Sequence, residues 1–402
     1  MEGSKYYKRS LTEVLKEATK YFKVVLLTGP RQVGKSTLLK HALKNERNYV
    51  TLDDSEALAL AKEDPVEFFR AYPAPLLIDE VQRAPGLFIH IKRIVDESDK
   101  KGQFWLTGSQ QFHLMREASD SLAGRVAVLS MQGFSQAEKH RDPERAPFLP
   151  NLSLRTKRSA PTQHEAYTDI VHGSYPQLWD GTPGSLFYPS YISTYLERDV
   201  REIVNITNTG AFLRLLRVAA ARTGQLINYD DMSRDIGVSP PTVKNWLSVL
   251  ETSGLIYLLQ PWSTNLTQRA VKTPKLYFMD TGLCCHLCGL STAEMAMNAP
   301  NSGALFETYV ISEIIKSHWH HGQNTAFYFY RDVNQREIDL LIETEGKVWP
   351  IEIKRTSTPK AEMVRHFSII DENVRGKGAL ICTAEKLLPL SKNAITVPVL
   401  YI

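Results

Sequence analysis

The sequence predicts an α/β protein in three parts: a parallel sheet with crossover helices, a compact helical unit, and a second region of strands and helices. Three observations carry this reading. Short apolar runs alternate with amphipathic stretches from Val24 to Tyr188, a helix-turn-helix cadence occupies Phe212–Pro261, and strand patterning returns over Ala304–Ile402. Strands alternating with helices require a parallel sheet, because each crossover returns the chain to the same end. In order, the first runs are Val24–Thr28, Leu38–Leu43, Tyr49–Leu52, Leu76–Ile78, Phe88–Val95, Phe104–Thr107 and Val126–Ser130. From Glu138 to Thr162 the chain turns polar, with several Pro and Arg, which predicts a long surface loop or linker rather than core. Tyr191, Tyr195, Leu196 and Val200 then recur at helical spacing within Ser190–Val204, a small helical lid on the first part.

A chain of 402 residues is too long for one small core, and about 150 residues per domain suggests two or three domains. A net charge of +4 permits contact with nucleic acid or an anionic surface without demanding either. No apolar run is long enough to span a bilayer, and Met1–Arg9 lacks the apolar core of a secretory signal, so a cytoplasmic protein without membrane contact is expected. Three of the four cysteines crowd at Cys284, Cys285 and Cys288 beside His286. Adjacent cysteines splay apart and no second ligand pair follows at zinc spacing, so buried reduced thiols are expected there.

Gly29-Pro-Arg-Gln-Val-Gly-Lys-Ser36 fits the phosphate-binding loop, and it stands in the required context between an apolar strand and the helix-forming Thr37–Leu43. Glycines let the backbone wrap the phosphates, so amide hydrogens and the helix N-terminus face the negative charge. Gly29, Pro30, Arg31, Gln32, Val33, Gly34, Lys35, Ser36 and Thr37 are therefore the candidate ATP-binding set. Lys35 offers a point charge to the β/γ-phosphates and Ser36 a hydroxyl to Mg²⁺. Leu76-Leu-Ile-Asp-Glu80 is an apolar strand ending in two carboxylates: Asp79 for Mg²⁺, and Glu80 as the base that polarises the attacking water. Phe104–Gln110 is a third strand ending in polar residues, which makes Ser109 and Gln110 candidate γ-phosphate sensors. Arg125 is a candidate arginine finger reaching a neighbouring subunit, and Arg31 and Arg83 are weaker candidates for phosphate contact. The Asp53-Asp54 pair reads as a cap for the next helix.

In the middle, Leu213–Arg222, Tyr229–Ile236 and Pro241–Ser253 read as three helices. Ser239 is the N-cap of the third, Gly254 its stop, and Leu255–Gln260 the strand that follows, as in a winged helix. In a DNA-reading version Thr242, Lys244, Asn245 and Ser248 face the groove, with Arg269, Lys272 and Lys275 on phosphates. The alternative is a winged helix used for packing or protein contact.

Near the C-terminus, Arg336–Ile342 and Val348–Lys354 flank a hairpin turn at Glu343–Lys347, and strand alternation puts Glu352 and Lys354 on one face. With Asp339 they match the D…ExK arrangement of restriction-endonuclease-like folds, and Glu307 on the helix Leu305–Lys316 is a candidate fourth member. Asp339, Glu352 and the carbonyl of Ile353 would hold Mg²⁺, assisted by Glu307, and Lys354 would orient or activate water.

Taken in order, GPRQVGKST, LLIDEVQRAP, LTGSQ, AGR, YLERDV, the helix-turn-helix stretch, and REIDLLI with IEIK resemble a widespread prokaryotic family of AAA-superfamily ATPases. The resemblance spans nearly the whole chain. It implies an AAA-type P-loop NTPase domain at 1–205, a winged-helix-like domain at 206–275 and a restriction-endonuclease-like domain at 276–402, with ATP and Mg²⁺ as cofactors. Two functions follow as expectations. One is a DNA-associated ATPase gating a nuclease-like domain. The other is a nucleotide-dependent signalling or scaffold ATPase whose C-terminal domain binds protein partners. AAA-type sites lie between subunits, so a homo-oligomer, ring or dimer, is expected with Arg125 acting in trans.

Overall fold

Val24–Thr28 is buried along its whole length and splits its side chains between two cores: Val25 and Leu27 on one face, Val24 and Leu26 on the other. A strand covered on both faces is the signature of a parallel sheet sandwiched by helices. The computed structural model describes residues 6–43, 46–108, 121–151, 162–196, 208–262 and 273–402. Its first sheet has five parallel strands, β1 (Val24–Thr28), β2 (Asn48–Thr51), β3 (Leu76–Asp79), β4 (Phe104–Thr107) and β5 (Val126–Ser130), in the order β2-β3-β4-β1-β5. Because β4 is inserted between β1 and β3, the C-terminal ends of those three strands stand side by side, at the place where strand order reverses. In open α/β sheets that edge is where ligands bind.

Helix Leu87–Asp96 shows why the outer face is stable. Leu87, Phe88, Ile91 and Val95 recur at helical spacing and are fully buried in the second core, each contributing about 1.5–3 kcal/mol of apolar burial. Asp54 caps helix Ser55–Glu63 by accepting from the N–H groups of Glu56 and Ala57, as expected.

Glu138–Thr162 is only in part the surface loop that its composition predicts: residues 140–151 form no helix or strand and Arg141, Glu144, Ala146 and Asn151 are exposed, but other residues of the stretch are buried. Gln136–Lys139 is a short helix with a capping box, Glu138 is fully buried, and Phe148 is 1% exposed. A carboxylate can be buried there because Arg9 and His320 face it, partners that no local pattern reveals. Residues 152–161 of this stretch lie outside the described residues. Helix Gln163–His172 packs on Thr281–Leu287 and Ala293–Asn298, so the helices before residue 196 join those of the middle of the chain. The 205/206 limit falls outside the described residues.

Three helices, Thr209–Ala221, Tyr229–Ile236 and Pro240–Thr252, lead into the antiparallel pair β6 (Ile256–Pro261) and β7 (Lys275–Phe278). Ser239 caps the third helix, and Gly254, left-handed at φ 73°, follows its end. Val243, Trp246, Leu247 and Leu250 point inward while Lys244, Asn245 and Ser248 are exposed and Thr242 is half-buried. The pair β6/β7 continues into an eight-stranded sheet with β8 (Ala326–Arg331), β9 (Glu337–Thr344), β10 (Lys347–Ile353), β11 (Gly378–Cys382), β12 (Leu388–Ser391) and β13 (Ala394–Pro398). Its order is β12-β13-β11-β10-β9-β8-β6-β7, so the sheet runs across the 275/276 limit, with Lys275 and Leu276 both in β7. The long helix Ser302–Trp319 packs against β7 and β10. Cys284 and Cys285 are buried on helix Thr281–Leu287, and among the described residues no helix is long and apolar enough to cross a membrane.

Candidate functional site

The loop Gly29–Ser36 leaves the C-terminal end of β1 and turns into helix Lys35–Ala42. Gly29 stands at φ 140°, and a Cβ there would collide with the carbonyl oxygen of Met131. Gly34, left-handed at φ 94°, is the N-cap of the helix. Lys35 is 6% exposed, and its Nζ donates to the carbonyls of Gly29 at 2.9 Å and Pro30 at 2.7 Å. Pro30 and Val33 are buried, Arg31 and Gln32 half-buried, and Thr37 exposed on the first turn.

Across the loop, Ser36 Oγ donates to Asp79 Oδ1 at 2.9 Å, and the hydroxyl of Tyr49 reaches Oδ2 at 3.4 Å. Burial pushes the Asp79 carboxyl up, the Ser36 hydroxyl draws it down, and the charge of Glu80 pushes it up again. A cation beside it reverses that penalty, and a hydroxyl with a carboxylate is the hard oxygen set that Mg²⁺ takes, so these residues fit the metal. Glu80 sits at φ 58°, ψ 43°, a left-handed conformation that costs a non-glycine residue about 1–3 kcal/mol. Gln82 Nε2 donates to its carboxylate. Gln32, at φ 61°, is a second left-handed residue in the same site.

Of the other expected contacts, Ser109 and Gln110 lie outside the described residues, although β4 does end at Thr107 between β1 and β3. Arg125 stands at the opposite edge of the sheet: its carbonyl accepts from the N–H of Val24, where β1 begins. Five residues of strand separate it from the loop by about 15 Å. Its guanidinium is engaged with Asp96, so it does not reach the phosphate loop of its own chain. Arg83 pairs with Asp53 at 2.6 Å on the surface.

A methyl group at position 29 meets backbone, which cannot move aside as a side chain would. Gly29→Ala is therefore expected to weaken ATP binding by about 100-fold or more, and titration with a fluorescent ATP analogue checks this.

The C-terminal carboxylates do gather. Asp339 on β9 accepts from the Ile353 N–H at 2.8 Å and from Lys354 Nζ at 3.3 Å, and Lys354 reaches Glu352 Oε1 at 2.6 Å. Glu307 accepts from the Tyr277 hydroxyl and from Lys275 Nζ at 3.3 Å. Burial pushes Glu352 up to about 8, with Asp339 adding to the rise and Lys354 opposing it. Burial likewise raises Glu307, and Asp339 raises it further. Lysines and a tyrosine engage these carboxylates, and as the side chains stand no group of three or more His, Cys, Asp or Glu among the described residues is placed to hold one metal ion. Lys275 also departs from its expected contact with nucleic-acid phosphates: it is 4% exposed and ion-paired with Glu307 and Glu337. Arg269 and Lys272 lie outside the described residues. Sequence reasoning missed Lys275 and Tyr277 as members of this cluster, since β7 lies three places from β9 in the sheet and no spacing links them; it also missed Glu337, two residues before Asp339 on β9 itself.

Three families match successive parts of the chain: an AAA domain at residues 21–140, a domain of unknown function (DUF8612) at 164–294, and a second (DUF4143) at 302–402. The first supports an AAA-type P-loop ATPase domain. Uncharacterized proteins of Mycobacterium bovis and Mycobacterium tuberculosis are each 28% identical over 97% of this chain and 83% of their own length. Among solved structures, a Walker-type ATPase of Pyrococcus abyssi aligns at 15% identity with a TM-score of 0.42, covering 70% of this chain and 96% of that one.

Proposed function

We propose that the chain binds Mg²⁺·ATP at Gly29–Ser36 and Asp79, hydrolyses it with Glu80, and uses the nucleotide cycle to act on a DNA-associated, nuclease-like C-terminal half. The observation that carries the ATPase reading is the Ser36–Asp79 hydrogen bond of 2.9 Å with the strained Glu80 beside it. It joins the phosphate loop to the acidic strand across the inserted β4.

Bound Mg²⁺ supplies charge neutralisation at the β- and γ-phosphates. Loop amides and Lys35 hold the phosphate oxygens, for which Lys35 exchanges the Gly29 and Pro30 carbonyls for the ligand. Glu80 orients the attacking water and accepts its proton, with Gln82 steadying the carboxylate. Coupling to the middle of the chain has a direct route. A Cβ at Gly254, just after the helix Pro240–Thr252, would stand 3.1 Å from Pro30 and 2.8 Å from Gln132 Nε2, so this winged-helix-like turn abuts the phosphate loop. In the nuclease-like reading Asp339, Glu352 and Glu307 would hold a divalent cation in place of the lysines that now pair with them, and Lys354 would orient water. An oligomer with Arg125 in trans and a cytoplasmic setting belong to the same proposal.

The experiment is ATP hydrolysis by the wild type, Lys35→Ala and Asp339→Ala, with and without DNA, following DNA integrity in the same Mg²⁺ reaction. Lys35→Ala is expected to abolish hydrolysis. DNA-stimulated hydrolysis with cleavage lost in Asp339→Ala supports the full proposal. Hydrolysis indifferent to DNA, with DNA intact throughout, replaces its second half with a signalling ATPase whose C-terminal part binds protein. The closed Lys275–Glu307 and Lys354–Asp339 pairs favour that second reading.

A further inference from the structure

One buried arginine ties the phosphate loop to the C-terminal part of the chain. Arg9, just before helix Leu11–Tyr21, is 3% exposed. Its Nη1 donates to the Val33 carbonyl inside the loop at 2.8 Å, and its Nη2 to the carbonyls of Gln132 at 2.7 Å and Gly133 at 3.3 Å. Its Nε faces Glu138 Oε1 at 3.0 Å. Glu138 also accepts the backbone N–H groups of Ser10 at 2.9 Å and Ser135 at 3.0 Å, and its Oε2 lies 3.2 Å from His320 Nδ1. His320 ends the helix Ser302–Trp319, which also carries Glu307. Its Nε2 accepts the N–H of Gln132 at 3.1 Å, which assigns a neutral ring with the proton on Nδ1, toward Glu138.

A simple ion pair would need only Glu138. Here the guanidinium fork is spread over carbonyls of two segments, the phosphate loop and the Gln132–Gly133 strip. The peptide group is planar and trans, so turning the Val33 carbonyl toward Arg9 turns the Gly34 N–H the opposite way, away from Arg9. A loop binds phosphate with such amides.

We propose that Arg9 is a positioning residue for phosphate binding, and that Glu138 and His320 set its orientation, so that the readiness of the loop depends on the helix Ser302–Trp319. This rests on the reading of Gly29–Ser36 as the nucleotide site. Arg9→Lys keeps the charge beside Glu138 but loses the fork. His320→Leu loses the contacts to Gln132 and Glu138, and His320→Gln keeps an acceptor and a donor.

The test uses the full chain, well below its unfolding temperature, with two readouts: hydrogen exchange of residues 29–36 without nucleotide, and titration with a fluorescent ATP analogue in Mg²⁺. Arg9→Lys and His320→Leu are expected to speed exchange in the loop and weaken the analogue about tenfold or more, with His320→Gln close to wild type. Residues that merely pack would lower the thermal midpoint and leave both readouts alone. Arg9→Lys that folds with loop exchange and affinity within about twofold of wild type overturns the proposal. Should Arg9→Lys not fold, equal exchange and affinity in wild type, His320→Leu and His320→Gln overturn it instead. If the wild type binds no analogue, the nucleotide reading fails, while the exchange comparison still decides whether Arg9 and His320 hold the loop.

Discussion

Glu80→Gln is expected to bind ATP as the wild type does and to hydrolyse it about 10²–10⁴-fold more slowly, the range set by removing a general base. Gln keeps the length of the side chain and can still meet Gln82, but it cannot accept the proton of the attacking water. Single-turnover hydrolysis and analogue titration on one preparation separate the two effects, and a loss of affinity equal to the loss of rate would refute the assignment. The backbone supplies an independent check. Glu80 occupies a left-handed conformation that glycine adopts without strain. Glu80→Gly should therefore lose hydrolysis to a similar extent while its thermal midpoint stays at or above that of wild type. Elsewhere in a chain, a change to glycine costs about 0.5–1 kcal/mol. A strained residue that can be relaxed only at the expense of turnover is held there for chemistry.

The geometry of the candidate nucleotide site was legible because its parts are local. A glycine-rich loop, its lysine and its hydroxyl lie within eight consecutive residues, and the acidic pair ends a strand whose apolar run announces it. Strand alternation likewise placed Asp339, Glu352 and Lys354 on neighbouring strands, where they do meet. What could not be read was anything that depends on distant partners. Glu138 lay in a polar stretch expected at the surface, yet it is buried against Arg9 and against a histidine whose other nitrogen binds Gln132 from 188 positions away. Lys275 was expected on nucleic-acid phosphates and instead pairs with Glu307 and Glu337, because it lies on β7, a strand of the C-terminal sheet. Arg125 was expected to reach a neighbouring subunit, and its position just before β5 sets it at the edge of the sheet away from the phosphate loop of its own chain, engaged with Asp96. Charged side chains carry no periodicity of their own, so their burial shows only when the fold is complete.

The largest effect on stability is expected at Glu313. Its carboxylate sits between two lysines, accepting from Lys139 at 3.2 Å, Lys316 at 2.6 Å and the Gln136 N–H at 2.8 Å, with all three side chains 1–2% exposed. Removing it leaves two buried ammonium groups facing each other, so Glu313→Ala should cost about 3–5 kcal/mol. Replacing all three, as Lys139→Met, Glu313→Leu and Lys316→Met, should cost far less, since desolvating the triad already offsets much of its attraction. The pH dependence gives the sign. Burial alone would raise Glu313, but the two lysines outweigh it and hold it below the usual glutamate range. The unfolded chain therefore binds this proton more readily than the folded one. The stability from Glu313 is present above about pH 4.5 and lost as pH falls through the lower folded value. Burial and the neighbouring Lys139 lower Lys316 below its ordinary value of about 10.5, with Glu313 opposing them, so here too stability rises as pH climbs toward that value. Glu313→Ala should accordingly recover part of its deficit as pH rises toward about 10.5, when the stranded Lys316 ammonium sheds its proton. Thermal midpoints of the wild type, the single variant and the triple variant across that range decide it. A single-variant deficit that is small, or that does not narrow with rising pH, would mean that water reaches the triad and that the contact between the Gln136–Lys139 helix and the C-terminal helix is looser than its geometry.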